Sequence, residues 1–245
     1  MRALVFAARN RKEILRDPLN LAFGIGFPVV VLLLISAIQA NIPVDLFAIE
    51  RLAPGIAVFG LSFVALFSGT LIAKDRSTSY LMRLYSSPLA ARDFIFGYTL
   101  PLVPMALAQG AICFLVAILL GLPADARTLL ALATLLPAAV LFIAIGLLAG
   151  TLFTDKQVGA FCGALLTNAT AWLSGTWFDL SLVGDTFKRI AYALPFAHAV
   201  DAARAATGGD IAAILPHLYW VIGYAVAIAA IAVVVFKRRM TSDRV

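Results

Sequence analysis

The side chains best suited to acid–base chemistry form a short run in the last quarter of the chain. His198 and Asp201 are three residues apart, and Arg204 follows after another three. On a helix this spacing places them on one face, where an imidazole and a carboxylate could act as an acid and base pair. No nucleophile or set of metal ligands accompanies them. We interpret the run as a local polar network and keep an intramembrane enzyme as an alternative.

Nucleotide chemistry is missing from the sequence. The 245 residues contain no Gly-x-x-x-x-Gly-Lys-Ser/Thr phosphate-binding loop. The two cysteines, Cys113 and Cys162, fall in apolar runs, where a thiol behaves as a small hydrophobic group. We therefore predict no disulfide, metal or cofactor on this chain, and an ATP-driven activity would need a second protein.

The elements that must position these residues are membrane helices. The chain is 62% hydrophobic and 13% charged, which is unlike a soluble domain. Six runs reach the roughly 20 residues that a membrane-spanning helix needs, and none contains Asp, Glu, Lys or Arg. The runs are 19–40, 52–73, 94–120, 129–153, 158–177 and 215–236. We predict an all-α polytopic membrane protein, with six transmembrane helices in one domain over 1–245.

The distribution of basic residues predicts an orientation. Fourteen of the 19 Lys and Arg residues fall on one side, in the N-terminal segment, the 74–93 loop, the 154–157 turn and the C-terminal tail. Basic residues mark the cytoplasmic side, so we predict a multi-pass protein of the cell membrane with both termini in the cytoplasm. The net charge of +6 then reflects orientation and contact with membrane lipid, and it requires no nucleic acid.

Ion coupling is a second alternative function. Secondary transporters keep ionisable groups near the membrane midplane, where these groups carry the coupling ion. The six apolar runs contain no Asp, Glu, Lys or Arg. The composition therefore argues against an ion-coupled transporter.

Two polar segments on the basic side could contact a partner protein. Residues 1–18 predict an interfacial helix that ends at Pro18, with Leu4, Ala7, Ala8, Ile14 and Leu15 on one face and Arg9, Lys12, Glu13 and Arg16 opposite. The 74–93 loop predicts a two-turn coupling helix over 79–85, with Tyr80 and Leu84 on one side and Arg83 on another, before Ser87-Pro88. The alternatives are a basic tail that only sets orientation and an ordinary interfacial loop.

Several patterns inside the predicted helices could serve transport or packing. The candidate substrate path consists of an aromatic stripe in the second run and polar and aromatic residues in the fifth: Phe59, Phe63, Phe67, Thr167, Asn168 and Trp172. Ordinary packing or lipid contact is the alternative. The pairs Gly146-x-x-x-Gly150 and Gly159-x-x-x-Gly163 predict close helix contact, within one subunit or at a dimer seam. Residues 178–214 predict two short outer helices, separated by Pro195, that re-enter the membrane.

Several motifs resemble those of the membrane subunits of type-2 ABC exporters, and the resemblance covers nearly the whole chain. The most specific is Pro195-Phe196-Ala197-His198 with Arg204, preceded by Ser174-Gly175-Thr176-Trp177-Phe178. The others are Pro54-Gly55, Asp75-Arg76, the run Arg83 to Leu89, and Arg16-Asp17-Pro18. The chain departs from the family pattern at Ser77-Thr78-Ser79 and at Phe178-Asp179.

The resemblance implies that this chain is one subunit of a larger complex. It implies two permeases, identical or homologous, and two cytoplasmic ATPase subunits that bind ATP and Mg²⁺. This chain would be a transport subunit and not an enzyme. The expected ATPase contacts are Arg9, Arg11, Lys12, Arg76, Tyr80, Arg83, Leu84, Ser87 and Pro88. The uncharged spans suggest an amphipathic or hydrophobic cargo such as a drug, an antibiotic or a lipid-like molecule. A polysaccharide or lipid-linked glycan is the alternative cargo, although the Arg-Tyr-rich stretch of such exporters does not precede the first span.

Overall fold

A computed structural model of the chain describes residues 2–42, 47–78, 80 and 91–242. All regular structure in these residues is helical, so the predicted all-α fold is confirmed. The helices are α1 (Arg2–Arg16), α2 (Pro18–Leu21, π-helical Ala22–Gly26 and Phe27–Gln39), α3 (Ile49–Ser77), α4 (Ala91–Leu119), α5 (Ala126–Leu152), α6 (Asp155–Val158, π-helical Gly159–Leu166 and Thr167–Leu173), α7 (Asp185–Ala193), α8 (Pro195–Gly208) and α9 (Ile211–Ser242), with a 3₁₀ turn at Leu180–Leu182.

Five of the six predicted spans are helices long and apolar enough to cross a membrane. They are Ala22–Gln39, Ile49–Ser77, Asp93–Leu119, Ala126–Leu152 and Ile211–Met240. Three of them, Ile49–Ser77, Ala126–Leu152 and Ile211–Met240, are longer than the apolar run that predicted them, because the helix continues into flanking residues that include charged side chains.

The fifth predicted run, 158–177, is helical but stops early. Helix α6 ends at Leu173, and the Ser174 hydroxyl then accepts a hydrogen bond from the Thr176 backbone N–H at 3.3 Å. Gly175 adopts a φ of +72°, a left-handed conformation that favours glycine and breaks a helix. The predicted end at 177 is therefore wrong, because the sequence from Ser174 forms a turn.

Helix α1 packs against the bundle through a face that includes only part of the predicted apolar face, namely Ala7 and Ile14. Phe6, Ala7, Asn10 and Ile14 are buried, whereas Leu4 is 61% exposed and Leu15 is 57% exposed. The Phe6 ring makes edge-on contacts with the rings of α4, at 5.7 Å from Phe94 and 5.0 Å from Tyr98. The aromatic side chain, and not the leucines, therefore docks α1.

The centre of the bundle is the contact between α3 and α5, and it contains the first glycine pair. A methyl group on Gly146 would overlap the Ala65 carbonyl oxygen, and one on Gly150 would overlap the Gly69 carbonyl oxygen. The Ser68 hydroxyl donates to the Ile143 carbonyl at 3.1 Å. This pair therefore packs within the chain. The second pair is more open, since a methyl group on Gly159 would meet nothing within 4 Å.

The two ends of the bundle carry the polar segments. We call the end formed by α1, the last turn of α3, the α5–α6 turn and the end of α9 the basic end, and the other the opposite end. The predicted coupling helix at 79–85 lies outside the described residues except for Tyr80, as do Arg83, Leu84, Ser87 and Pro88. At the opposite end, α7 and α8 form the two predicted short helices on either side of Leu194.

Candidate coupling site

The candidate coupling site is the cluster of Arg9, Asp75, Arg76 and Tyr98. It is built around the buried carboxylate of Asp75 in the last turn of α3. The guanidinium group of Arg9 on α1 donates two hydrogen bonds to Asp75, at 2.8 and 2.9 Å. The Tyr98 hydroxyl on α4 donates to the same carboxylate at 2.8 Å. The Asp75 side chain is only 3% exposed, whereas the Arg9 side chain is 35% exposed. Three helices therefore meet at one charge.

A second contact fixes the register of α1 on α4. The Asn10 side-chain amide donates to the Gly97 carbonyl at 2.9 Å. Gly97 is required there, because a methyl group at this position would overlap the Phe6 ring. The amide and ring of α1 therefore contact a single turn of α4.

Arg9 also connects α1 to the segment that follows α3. Its guanidinium carbon lies 4.6 Å above the centre of the Tyr80 ring, and it forms an ion pair of 2.6 Å with Glu13. Partial burial opposes its charge, but the hydrogen bond and the charge of Asp75 outweigh burial and raise the pKa of Arg9. The guanidinium group therefore remains charged and bound to its partners at physiological pH.

Arg76, beside Asp75, joins α3 to the end of α5. Its guanidinium group donates to the carbonyls of Gly150 at 2.9 Å and Thr151 at 2.6 Å. These carbonyls belong to the last turn of α5, where the helix has no further backbone N–H groups to satisfy them. A cation there also interacts favourably with the helix dipole. Adjacent residues of α3 thus hold α1 and α5.

We expect Arg76→Gln to lower the stability of the purified chain by about 1–2 kcal/mol, because two helix-end carbonyls lose a charged donor. Thermal unfolding in detergent measures this loss. Lys74→Gln is the matched control, because Lys74 lies in the same turn of α3 and pairs with Asp17 only at 3.9 Å, with half its side chain exposed. Equal effects of the two variants would contradict a role for the Arg76 hydrogen bonds.

A seam of aromatic rings runs along the contact between α2 and α3. The Phe63 ring lies 6.3 Å from Phe23 and 5.5 Å from Phe27, and Phe59 lies 5.6 Å from Trp177. Phe67 packs on Gly24, where a methyl group would lie 2.6 Å from its ring. The aromatic stripe of α3 therefore faces α2 and reaches towards the opposite end at Trp177.

A comparison with protein families bears on the whole arrangement. The model of the ABC-2 type transporter family matches residues 2–207. The chain belongs to the ABC-2 type transporter family. The match extends from α1 into the last turn of α8, so the coupling site and the aromatic seam lie within it. No curated protein matches the chain.

In this ABC-2 permease, the predicted ATPase contacts on α1 and α3 fall into two groups. Arg9 and Arg76 use their hydrogen bonds inside the chain, whereas Arg11 and Lys12 are exposed on α1. Sequence reasoning missed Asp75 and Tyr98 as site residues. The available signal was an acidic residue at the end of an apolar run, flanked by two basic residues.

The predicted substrate-path residues of α6 lie apart from the aromatic stripe. Asn168 and Trp172 are exposed on α6, and the Asn168 amide donates to the Ala164 carbonyl of its own helix at 2.9 Å. The Thr167 hydroxyl donates to the Cys162 carbonyl at 2.9 Å. The permease therefore presents the α3 rings towards α2, while Asn168 and Trp172 on α6 face outward and Thr167 is half-buried.

Arg204 on α8 joins the start of α3 to the segment after α6 at the opposite end of the permease. Its guanidinium group donates to the Arg51 carbonyl at 3.1 Å, at the start of α3, and to the Gly175 carbonyl at 2.8 Å, after α6. Asp201 lies 3.8 Å from Arg204 and accepts a hydrogen bond from Tyr192 at 2.6 Å. These residues line a polar cavity of about 270 Å³ that Trp177 also borders.

His198 is bound to partners other than Asp201. Its Nε2 lies 3.0 Å from the Tyr192 carbonyl, which can only accept, so Nε2 carries a proton. Its Nδ1 lies 2.8 Å from Nδ1 of His217 on α9, so in the neutral ring it accepts from His217. Burial lowers the pKa of His198 and favours this neutral form. His198 therefore joins α8 to α9, and Pro195 opens α8.

Proposed function

We propose that this permease is the membrane half of an ATP-driven exporter in the cell membrane, with its basic end in the cytoplasm. Two ATPase subunits would bind ATP and Mg²⁺ outside this chain, and a second permease, identical or homologous, would complete the complex. The coupling site supports this assignment, because Asp75 and Arg76, which hold α1 and α5, lie at the start of the 74–93 loop that is predicted to contact the ATPase. A force applied to that loop would be transmitted to α1, α3 and α5 together.

The coupling would work as a rigid-body movement. Closure of the ATPase dimer would displace the 74–93 loop together with the exposed face of α1. Since Arg9 fixes α1 to Asp75 and Arg76 fixes α5 to α3, these helices would shift together. The route between the paired permeases would then alternate its opening between the two sides of the membrane.

The aromatic seam is the single observation that carries the cargo assignment. Phe67 lines a large cavity at the basic end, Phe63 and Phe59 continue along α3, and Trp177 lines the cavity at the opposite end. Aromatic rings offer large apolar surfaces to apolar and amphipathic molecules, and the hydrophobic attraction between them is non-directional. We infer that the exported cargo is an amphipathic or hydrophobic molecule, such as a drug, an antibiotic or a lipid-like compound.

Reconstitution tests the assignment. The chain and its ATPase are placed together in vesicles, and the accumulation of amphipathic dyes or of a lipid-linked glycan is followed with and without ATP. We expect ATP-dependent movement of the amphipathic compounds and stimulation of ATP turnover by them. Flux of the same compounds in vesicles that hold this chain alone would contradict the proposal, and selective movement of the glycan would overturn the cargo assignment.

We expect Phe63→Leu to weaken recognition of an aromatic cargo by roughly tenfold, seen as a raised KM for transport, because each lost ring contact is worth about 0.5–1.5 kcal/mol. The buried Phe142→Leu is the matched control, since Phe142 packs on Phe196 outside the seam. Both variants lose one buried ring and therefore share the packing cost. A KM raised equally by both variants would show that the seam does not bind cargo.

A further inference from the structure

A large cavity lies beneath α1 at the basic end. It has a volume of about 810 Å³ and lies between α1, the start of α2 and the last turns of α3. Its apolar lining includes Val5 on α1 and Phe67 and Leu71 on α3. Its charged lining consists of the basic residues Arg9, Lys12, Arg16 and Lys74 together with Glu13 and Asp17. The cavity is therefore amphipathic and has more basic than acidic side chains.

Two of the four basic residues are already engaged. Arg9 binds Asp75 and Glu13, and Lys74 lies 3.9 Å from Asp17. Lys12 and Arg16 form no ion pair with any residue that the structure describes. They are four residues apart on α1, so they share one face of the helix one turn from each other. Their donors can bind an anionic group with several acceptor oxygens.

The position of the cavity indicates what kind of molecule carries that anion. Val5 lines the cavity and is 73% exposed. Leu4 and Leu15 on α1 and Leu19 at the start of α2 are between 57% and 67% exposed, as expected for a segment that lies in the membrane interface. A volume of this size accommodates a lipid headgroup and the beginning of its acyl chains. Anionic lipids attract basic residues at this depth.

We propose that the cavity is a binding site for an anionic membrane phospholipid of the leaflet in which α1 lies. Its phosphate would bind Lys12 and Arg16, and its acyl chains would lie along Phe67 and Leu71. The lipid would be a resident ligand that braces α1 against α3, next to the Arg9–Asp75 contact. The lipid would share Phe67 with the basic end of the aromatic seam.

The test uses the full chain, purified in detergent and stripped of lipid. Binding of phosphatidylglycerol and phosphatidylcholine is measured by native mass spectrometry and by the rise in unfolding temperature. We expect preferential binding of phosphatidylglycerol, and a loss of its affinity by roughly ten- to thirtyfold in Lys12→Gln/Arg16→Gln. The single variant Arg16→Gln is expected to show an intermediate loss.

Arg11→Gln/Arg238→Gln is the matched control. Both residues are exposed at the basic end and lie outside the cavity. The substitutions remove the same net charge as Lys12→Gln/Arg16→Gln. We expect it to bind phosphatidylglycerol within about twofold of the unmodified chain. Equal losses in the two double variants, or equal binding of the two lipids, would overturn the site. Protection by inorganic phosphate as strong as that by phosphatidylglycerol would show a free-anion site and would also overturn the lipid assignment.

Discussion

Replacing Asp75 with Asn is expected to lower the stability of the permease by about 2–3 kcal/mol and to uncouple ATP turnover from transport. The Asp75 carboxylate accepts two hydrogen bonds from Arg9 and one from Tyr98, and it is almost fully buried. Breaking a buried ion pair costs about 3–5 kcal/mol, which the partial exposure of Arg9 reduces. The neutral amide would leave α1 held mainly by Phe6 and Asn10.

Glu13→Gln is the matched control for this prediction. Glu13 also pairs with Arg9, at 2.6 Å, but its side chain is 39% exposed. Exposed pairs contribute about 0–1 kcal/mol, so this variant should unfold near the unmodified temperature and retain coupled transport. Thermal unfolding of the purified chain and cargo-stimulated ATP turnover of the complex measure the two effects. If the Asp75→Asn permease is as stable and as well coupled as the Glu13→Gln variant, the coupling site has no part in the mechanism.

The membrane helices could be predicted from sequence because an uncharged run of about 20 residues has few alternatives in a lipid environment. The end of α6 could not be predicted in this way. Ser174, Gly175 and Thr176 are compatible with an apolar span, yet their hydroxyl and left-handed backbone form a turn. Hydropathy averages over a window and does not detect such a local competition.

The helix α1 shows a different limit of sequence reasoning. Its amphipathic character was predictable, and Ala7 and Ile14 of the predicted apolar face are buried. Phe6 and Asn10 lie outside that face and are also buried, whereas Leu4 and Leu15 are exposed. At a membrane interface both lipid and protein accept apolar side chains, so hydrophobicity alone does not distinguish the two neighbours. The contact with Gly97, which lies 87 residues from Asn10, decides the face.

The coupling site is formed by residues that lie far apart in the sequence. Arg9 and Asp75 are 66 residues apart, and no local spacing relates them. The opposite end is also held by a contact between residues far apart in the sequence, since Arg204 donates to the Arg51 carbonyl 153 residues away. Helix α3 is therefore held at both ends by arginine contacts, through Asp75 and Arg76 at one end and through the Arg51 carbonyl at the other. This arrangement favours movement of α3 together with its neighbours.

Replacing Gly146 with Ala is expected to have the largest effect on stability, about 3 kcal/mol or more. The added methyl group would overlap the Ala65 carbonyl oxygen and would lie 2.6 Å from the Cβ atom of Ser68. Backbone atoms cannot rotate away as a side chain can, so α3 and α5 would have to separate. Separation would also stretch the hydrogen bond from Ser68 to Ile143. Thermal unfolding of the purified chain measures the loss.

Gly159→Ala provides the control, because the two glycines lie in similar spacing motifs but in different surroundings. A methyl group on Gly159 would meet nothing within 4 Å, so only the helix propensity changes. Alanine is favoured over glycine in a helix by about 1 kcal/mol, and this variant should be slightly more stable than the unmodified chain. The two substitutions should therefore have opposite signs. Destabilisation by Gly159→Ala as large as that by Gly146→Ala would mean that the open glycine face packs against a second copy of the permease.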